Sequence, residues 1–416
     1  MKLLRTIPPG RLRQRGAVFI VMLVFMIMGV ITFLVSSLNS SALQIKRDAV
    51  TANALARAKE ALIGDAVSRS LVTSAGYLRL PDLGIGIGSV PAEGSSAPNF
   101  GGNTTDYSVI GKFPWKTLGV SPSRDGQGEC PWYVVSGRFK NTPPTSALNW
   151  DTLGQIDVID GNGNIIASNI AALLVAPGRP LDGQNRALAD PIYTQCGGNY
   201  DAHNYLDSYN SSDAVSGEVN YFTGSTNNRI ALNTNNKRFV MTNNSHYNDR
   251  FLLVTADDIF RPIIRRNDFA KQISNLLDDP DLRLQVEIGN PQTITVSSAG
   301  TKGADNINCN ALANASNKTF CNNWKEMLLL TRLIPPSSVT IDGTTTASCN
   351  RVLIFGGQRI AGQVRVTATD KSNPANYLEG QNLAAFAAPT ANSSNFSGPS
   401  TFNVNNPSAD LLRCLP

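Results

Sequence analysis

The run of 22 residues from Ala17 to Leu38, AVFIVMLVFMIMGVITFLVSSL, contains no charged residue and constrains the chain more than any other feature. As an α-helix it would be roughly 33 Å long, which is enough to cross the hydrocarbon core of a bilayer. The run is longer than the apolar part of a secretory signal peptide, and no small-x-small cleavage site closes it. The sequence therefore predicts a transmembrane helix over residues 17–38.

Five basic residues and no acidic residue precede this run. They are Lys2, Arg5, Arg11, Arg13 and Arg15. The positive-inside rule predicts a cytoplasmic N-terminus and export of the chain that follows the helix. Because the formal net charge is +5, the remainder is neutral (+5 − 5 = 0). A neutral exported part lacks the basic surface that phosphate backbones require, so no nucleic-acid partner is predicted.

The helical pattern continues beyond the apolar run, because no proline occurs between residues 39 and 69. Apolar side chains recur there at near-helical spacing among alanines, which predicts an amphipathic helix to about residue 70. They are Leu43, Val50, Leu55, Leu62 and Ile63. We expect this stripe to pack against the rest of the chain. A juxtamembrane stalk or coiled coil is the alternative, although the heptad pattern does not extend past one or two turns.

A basic leader ending in Arg15-Gly16, followed by an apolar helix that begins at Ala17 and becomes amphipathic, resembles the prepilin signal of type IV pilins and pseudopilins. The resemblance covers about fifty of the 416 residues. It implies that a prepilin peptidase cuts after Gly16 on the cytoplasmic side and methylates the new amine of Ala17. It also implies two further partners, namely other pilin-like subunits and inner-membrane lipid.

Most members of that family carry glutamate as the fifth mature residue, whereas this chain has Val21. The family's glutamate is thought to pair with the terminal amine of a neighbouring subunit, and valine cannot. Certain large minor pseudopilins that cap the filament tip also lack the glutamate. The resemblance therefore implies a minor, tip or initiator subunit of a type IV pilus or type II secretion pseudopilus. The alternative is an unprocessed bitopic inner-membrane protein whose periplasmic domain binds a ligand or a partner.

All six cysteines lie beyond the apolar helix, and none forms a C-x-x-C pair. They are Cys130, Cys196, Cys309, Cys321, Cys349 and Cys414. An even number in an exported region predicts structural disulfides formed in the periplasm or on an extracellular filament. Cys309 with Cys321 would close a short Asn-rich loop, while the other pairings stay open. The wide spacings and the presence of only two histidines argue against a metal site.

Beyond residue 90 the chain is rich in Asn, Ser, Thr and Gly, which is typical of turn-rich β structure. Strands are predicted over Gln155–Ile159, Ile165–Ser168 and Ile170–Ala176, the first two joined by a hairpin turn at 160–164. A calcium loop is the alternative for this turn, but no acidic residue follows where a bidentate ligand would lie. One helix is predicted over 257–277, with Asp257-Asp258 at its N-terminus.

A faint repeat links two parts of the chain. GRPLDGQNR at 178–186 follows one apolar strand, and GQRIAGQVR at 357–365 follows another. Asn-Tyr-Leu and an acidic residue come later in both copies, at 204–207 and 376–379. The common order favours a local duplication over coincidence.

These patterns predict an α+β fold, and the resemblance to pilins implies that the long N-terminal helix packs on an antiparallel β-sheet head. The predicted segments are a leader (1–16), the helix (17–70), a pilin-like head (71–278) and a Cys-containing β-rich region (279–416). No G-x-S-x-G, H-E-x-x-H or Walker motif occurs, so neither an enzyme activity nor a cofactor is predicted.

Overall fold

A computed structural model shows the protein to be an α+β fold with antiparallel sheets and an additional β-rich region at its C-terminal end. It describes residues 15–84, 93–99, 107–142, 147–187, 195–208, 221–223, 237–285, 294–296, 302–304, 307–387 and 395–415. Within the first helix, the side chains of residues 15–18 and 34–40 are outside this description. The predicted leader therefore lies almost entirely outside the described residues.

The described helices are α1 (Arg15–Ser68), α2 (Ala256–Ile264), α3 (Asn267–Leu277), α4 (Pro280–Arg283), α5 (Ala315–Trp324), α6 (Ala368–Ser372) and α7 (Gly380–Ala387). Short 3-10 helices cover Gly137–Phe139, Ala202–Asn204, Cys309–Ala311, Lys325–Met327 and Pro374–Asn376. The first seven strands are β1 (Tyr107–Lys112), β2 (Trp132–Val135), β3 (Ile156–Ile159), β4 (Ile165–Ile170), β5 (Ala172–Ala176), β6 (Tyr221–Thr223) and β7 (Lys237–Val240). The remaining strands are β8 (Arg250–Val254), β9 (Ile294–Val296), β10 (Lys302–Ala304), β11 (Leu328–Ile341), β12 (Thr344–Phe355), β13 (Phe396–Gly398) and β14 (Leu411–Leu415).

The first sheet has five antiparallel strands in the order β6-β1-β2-β5-β8. Because side chains alternate between the two faces of a strand, β5 contributes to two different cores. Leu174 packs on the side of α1, whereas Leu173 and Val175 pack against the three-stranded sheet β4-β3-β7. The first sheet is thus covered on both faces.

The second large sheet has the order β13-β11-β12-β14, with β13 parallel to β11 and the other pairs antiparallel. β11 and β12 form a hairpin across Asp342 and Gly343, whose φ angles are 52° and 77°. Two consecutive positive φ angles at Asp-Gly are typical of a type I′ turn, which matches the twist of the flanking strands. A two-stranded sheet of β9 and β10 completes the β structure that is described.

Trp150 lies at the centre of the aromatic core. Its ring centroid is 4.7 Å from that of Trp324, and it also contacts the rings of Phe269, Phe355 and Phe402. Buried aromatic rings of this size dominate core energetics, so this cluster joins α3 and α5 to β12 of the second large sheet. One continuous hydrophobic cluster therefore contains residues from both sides of residue 278. The division into 71–278 and 279–416 remains a prediction.

Two details differ from the sequence prediction. The predicted single helix 257–277 is two helices, α2 and α3, with a break at Arg265 and Arg266. On α1, Leu55 and Leu62 are buried as predicted, but Leu43 and Val50 are exposed. The buried stripe is completed by Thr51, Ala54, Ala58 and Ala66. Small alanine side chains let the helix approach the sheet closely, so the position of the sheet decides which face of α1 is buried.

No helix within the described residues combines the length and the apolar character needed to cross a membrane. The predicted span Ala17–Leu38 belongs only in part to those residues, because the side chains of 17–18 and 34–38 are not described. The transmembrane assignment is thus a proposal and not a property of the fold.

Candidate functional site

Helix α1 divides into two halves with opposite environments. Residues 19–33 contain no charged side chain, and every one of them is exposed. Phe19 and Phe33 are each 72% exposed, although a phenylalanine is normally buried. A contiguous exposed apolar surface of this kind marks a site of interaction with a partner or a membrane. This exposed half, residues 19–33, is the first candidate functional site.

The other half of α1 is fixed to the head by charged groups as well as by its buried stripe. Lys59 Nζ donates to the backbone oxygen of Leu253 in β8 (2.8 Å) and to Asp258 at the start of α2 (2.9 Å). Burial raises the pKa of the Asp258 carboxyl, but hydrogen bonds from Thr255 and Lys59 outweigh burial and lower that pKa overall. Arg266, in the break between α2 and α3, donates to the backbone oxygens of Val67 and Arg69. Both ends of the α2 segment therefore hold α1 in place.

The predicted processing residues are described only in part. α1 begins at Arg15, so Gly16 and Ala17 are helical, but their side chains lie outside the described residues. Val21 lies in the exposed half of α1 and is 53% exposed. Cleavage at Gly16 therefore remains a prediction.

All six cysteines are paired. The bonds are Cys130–Cys196, Cys309–Cys321 and Cys349–Cys414. Disulfides are thus present as predicted, and they are typical of an oxidising compartment. Cys349 lies in β12 and Cys414 in β14, so their pairing follows from strand neighbours that the sequence alone does not reveal.

The remaining sequence candidates are structural. Thr255, not an aspartate, caps α2, and Asp258 completes the capping box with it. The Asp160 carboxylate accepts hydrogen bonds from the backbone N–H groups of Asn162 and Asn164 inside the β3–β4 turn. His203 contacts Asp201 next to a 3-10 helix, and His246 is exposed. In the described ranges, no three His, Cys, Asp or Glu side chains are close enough to hold a metal ion.

The first copy of the sequence repeat lies in residues 178–187 and 195–207, and we call these described residues the first repeat loop. The Arg186 guanidinium lies over the Tyr205 ring, 4.8 Å from its centroid, and donates to the backbone oxygens of Gly178 and Asn204. Gln184 accepts from Arg186 (2.8 Å) and donates to Asp207 (3.0 Å). One arginine thus ties the start of the loop to its end.

The second copy, residues 357–379, forms the second repeat loop with the same bonds. The Arg365 guanidinium lies over the Tyr377 ring at 4.0 Å and donates to the backbone oxygens of Gly357 and Asn376. Gln363 accepts from Arg365 (3.3 Å) and donates to Glu379 (2.7 Å). The repeat seen in the sequence is therefore a structural duplication at the level of individual hydrogen bonds.

The duplication extends to an acidic residue before the strand that follows each loop. Asp249 immediately precedes β8 and accepts from the backbone N–H of Asp207, while Asp410 immediately precedes β14 and accepts from that of Glu379. Burial raises the pKa of Asp249 well above its usual range and that of Asp410 to about 7. Each copy therefore contains two neighbouring carboxyl groups, one of them buried. Because the buried positions arise from strand pairing, sequence reasoning missed them.

No family model matches this chain, and neither a curated protein nor a solved structure matches it.

Proposed function

We propose that the protein is a minor pilin-like or pseudopilin-like structural subunit, at the tip or as an initiator, of a type IV pilus or type II secretion pseudopilus. The observation that carries the proposal is the division of α1 into an exposed apolar half and a half that packs on an antiparallel sheet. A subunit that must be held in a membrane and then packed among other helices needs these two properties in one helix. The prepilin-like junction at Gly16 and Ala17 is the second support.

In the proposed mechanism, residues 17–38 are held in the inner membrane while the head lies in the periplasm. The peptidase removes the leader, and the helix then moves sideways into a bundle formed with the helices of other pilin-like subunits. The exposed half would exchange lipid for protein neighbours, so its apolar surface never faces water. The disulfides support this location, because they are stable in an oxidising compartment.

Two features support a tip or initiator position over a repeating one. Val21 provides no carboxylate for the amine of a subunit ahead of it, and a terminal subunit needs none. The head also carries two large sheets beyond α1, which is a bulk that would crowd a tightly repeating helical array. A single terminal copy avoids this crowding.

The mass of the protein purified from cells with and without prepilin peptidase tests the proposal. We expect the masses to differ by the 16-residue leader, less the added methyl group. Gly16→Val should abolish the difference, because a β-branched residue does not fit where the peptidase accepts glycine. Gly29→Val is the matched control, since it changes a glycine in the same apolar run at a position with open space around it.

Identical masses with and without the peptidase would overturn the pilin-like assignment and favour the unprocessed bitopic protein. Normal processing of the Gly16→Val variant would contradict the assigned cleavage position. For the tip position, the measurement is the number of copies per filament by quantitative immunolabelling. Labels distributed along the whole filament would be incompatible with a terminal subunit.

A further inference from the structure

A polar cleft lies where α1 meets the end of the first sheet. Its volume is about 690 Å³, within the range of small-molecule sites. One wall is α1 from Gln44 to Thr51, and the opposite wall is formed by Gly178, Arg179 and the segment that leads into β8. The cleft thus lies between the helix and the beginning of the first repeat loop.

The floor of the cleft is rigid because a loop touches the backbone of α1. A Cβ on Gly126 would lie 2.3 Å from the backbone oxygen of Arg47, so only glycine fits there. The N–H of Gly126 donates to the Thr51 hydroxyl (2.9 Å), and that hydroxyl donates to the Arg47 carbonyl. Asp125 accepts from the backbone N–H groups of Gln127, Glu129 and Gly178. These hydrogen bonds fix the loop of the floor to α1 and to the start of the first repeat loop.

The acidic groups that line the cleft have hydrogen-bond or ion-pair partners, whereas, within the described part of the chain, two of its three arginines do not. The Asp125 carboxylate is occupied by its three backbone donors, and Asp48 forms an ion pair with Arg250 at 2.8 Å. For the guanidinium groups of Arg47 and Arg179, by contrast, no acceptor is found among the described residues. Three arginines against two engaged acids leave the cleft with an excess positive charge. Asn243 and Asn244 add amide groups to the lining.

We propose that this cleft binds a phosphate group, supplied either by a free phosphate compound or by the headgroup of an anionic phospholipid. Guanidinium groups bind phosphate through paired hydrogen bonds, and two of them on opposite walls can hold one phosphate from both sides. The phospholipid source rests on the proposed function, in which the membrane span ends at Leu38. Gln44 would then lie roughly 9 Å beyond the span, while the headgroup region extends roughly 5–8 Å from the hydrocarbon core, so a headgroup would meet the membrane-facing end of the cleft.

The test measures binding to the full chain in a non-ionic detergent by isothermal titration calorimetry. The probes are inorganic phosphate, dihexanoyl phosphatidylglycerol below its micelle concentration, and dihexanoyl phosphatidylcholine. The variant is Arg47→Gln with Arg179→Gln. Its control, Arg57→Gln with Arg261→Gln, removes the same charge at exposed positions of α1 and α2 outside the cleft.

We expect the cleft variant to bind phosphatidylglycerol at least tenfold more weakly, and the control within about twofold of the unchanged chain. Arg47→Lys with Arg179→Lys should retain part of the affinity, because lysine keeps the charge but not the paired hydrogen bonds. Binding of phosphatidylglycerol and inorganic phosphate would support a phosphate site filled by lipid. Binding of inorganic phosphate alone would support the site and replace lipid by a free phosphate compound.

Absence of binding to every phosphate probe, or an equal loss in the cleft variant and its control, would overturn the proposal. Circular dichroism of each variant separates a lost site from a lost fold. The probes are soluble and reach the head directly, so their binding does not require insertion of α1 or removal of the leader. Failure of the processing experiment and failure of the cleft are therefore distinguishable.

Discussion

The two repeat loops contain the same arginine, glutamine, tyrosine and acid contacts but lie in different surroundings. In the first loop, Arg186 faces Glu129 at 3.4 Å, and the Glu129 side chain is 24% exposed. In the second loop, the fully buried Arg365 faces Asp151 at 2.9 Å, and the Asp151 side chain is 2% exposed. The arginine of the first loop therefore faces an acid that water can reach, whereas the arginine of the second loop faces a buried acid.

The comparison shows that the hydrogen bonds within a repeat loop are the same in both copies, whereas the solvent accessibility of the acid that faces the arginine is not. In both loops the hydrogen bonds of the motif join residues within about thirty positions of one another. The contribution of each arginine to the free energy of unfolding depends on the acid that faces it. An ion pair is worth little where water reaches it, whereas breaking a buried pair is costly. The four predictions that follow compare the copies on this basis.

The largest effect is expected from the buried acids. The folded-state pKa of Asp410, about 7, lies above the ordinary carboxyl value, so the folded protein holds a proton that the unfolded chain releases. This stability is fully present below about pH 4 and is lost as pH rises to about 7, by up to about 1.4 kcal/mol per pH unit. The measurement is the free energy of unfolding in urea between pH 4 and pH 8.

Asp410→Asn removes the charge and should flatten this pH dependence and stabilise the protein at pH 8. Asp249→Asn should act in the same direction in the first copy, because burial also raises the pKa of Asp249. Asp342→Asn is the control, since its carboxyl is not buried and its pKa is lowered. A flattened pH dependence in only one of the two Asn variants would break the equivalence of the acid pairs, and an unchanged profile in both would contradict their raised pKa values.

Two of the disulfides, Cys130–Cys196 and Cys349–Cys414, should stabilise the protein by similar free energies. Cys130–Cys196 and Cys349–Cys414 close loops of 66 and 65 residues, so the loop-closure entropy lost on their removal is nearly equal. Replacing either pair by serine should lower the free energy of unfolding by about 4 kcal/mol. The 12-residue loop of Cys309–Cys321 is a shorter reference, for which about 3 kcal/mol is expected. Losses that differ widely between the first two would show that local packing outweighs loop entropy.

Replacing the repeat arginines should reveal the difference in their surroundings. Arg365→Met leaves Asp151 buried with the partly exposed Arg359 as its remaining ion-pair partner among the described residues, so we expect a loss of about 3 kcal/mol. Arg186→Met leaves Glu129 able to contact water, so about 1.5 kcal/mol is expected. Urea denaturation at pH 7 measures both. Equal losses of unfolding free energy would contradict the inference that the Arg365 ion pair is less accessible to water than the Arg186 ion pair.

The smallest effect is expected at the repeat glutamines. Gln184→Leu and Gln363→Leu each remove the link between the arginine and the acid within one loop, while keeping a similar side-chain volume. A loss of about 1 kcal/mol is expected in each case, because the surrounding groups are partly accessible to water. Similar values in the two copies would confirm that this contact belongs to the local motif. Gln358→Leu, in the same loop but outside this link, is the control.

The sequence predicted the main local elements because their causes are local. Absence of proline and an alanine-rich pattern predicted helical structure through residue 69, and α1 extends to Ser68. Alternating and apolar runs predicted β3, β4 and β5 to within about two residues. The break at Arg265 and Arg266 was not predicted, because Arg266 donates to backbone oxygens at the end of α1, which are distant in sequence.

By itself, the sequence determined the uncharged run at 17–38, the presence of two loop copies and the short Cys309–Cys321 loop, since each depends on neighbouring residues alone. Only the tertiary structure decided which face of α1 is buried, how Cys349 finds Cys414, and why Asp249 and Asp410 are buried beside a second carboxyl. The cleft at Arg47 and Arg179 likewise exists only because α1 and the first repeat loop meet. These features depend on which strands and helices become neighbours, and that information is absent from any single stretch of sequence.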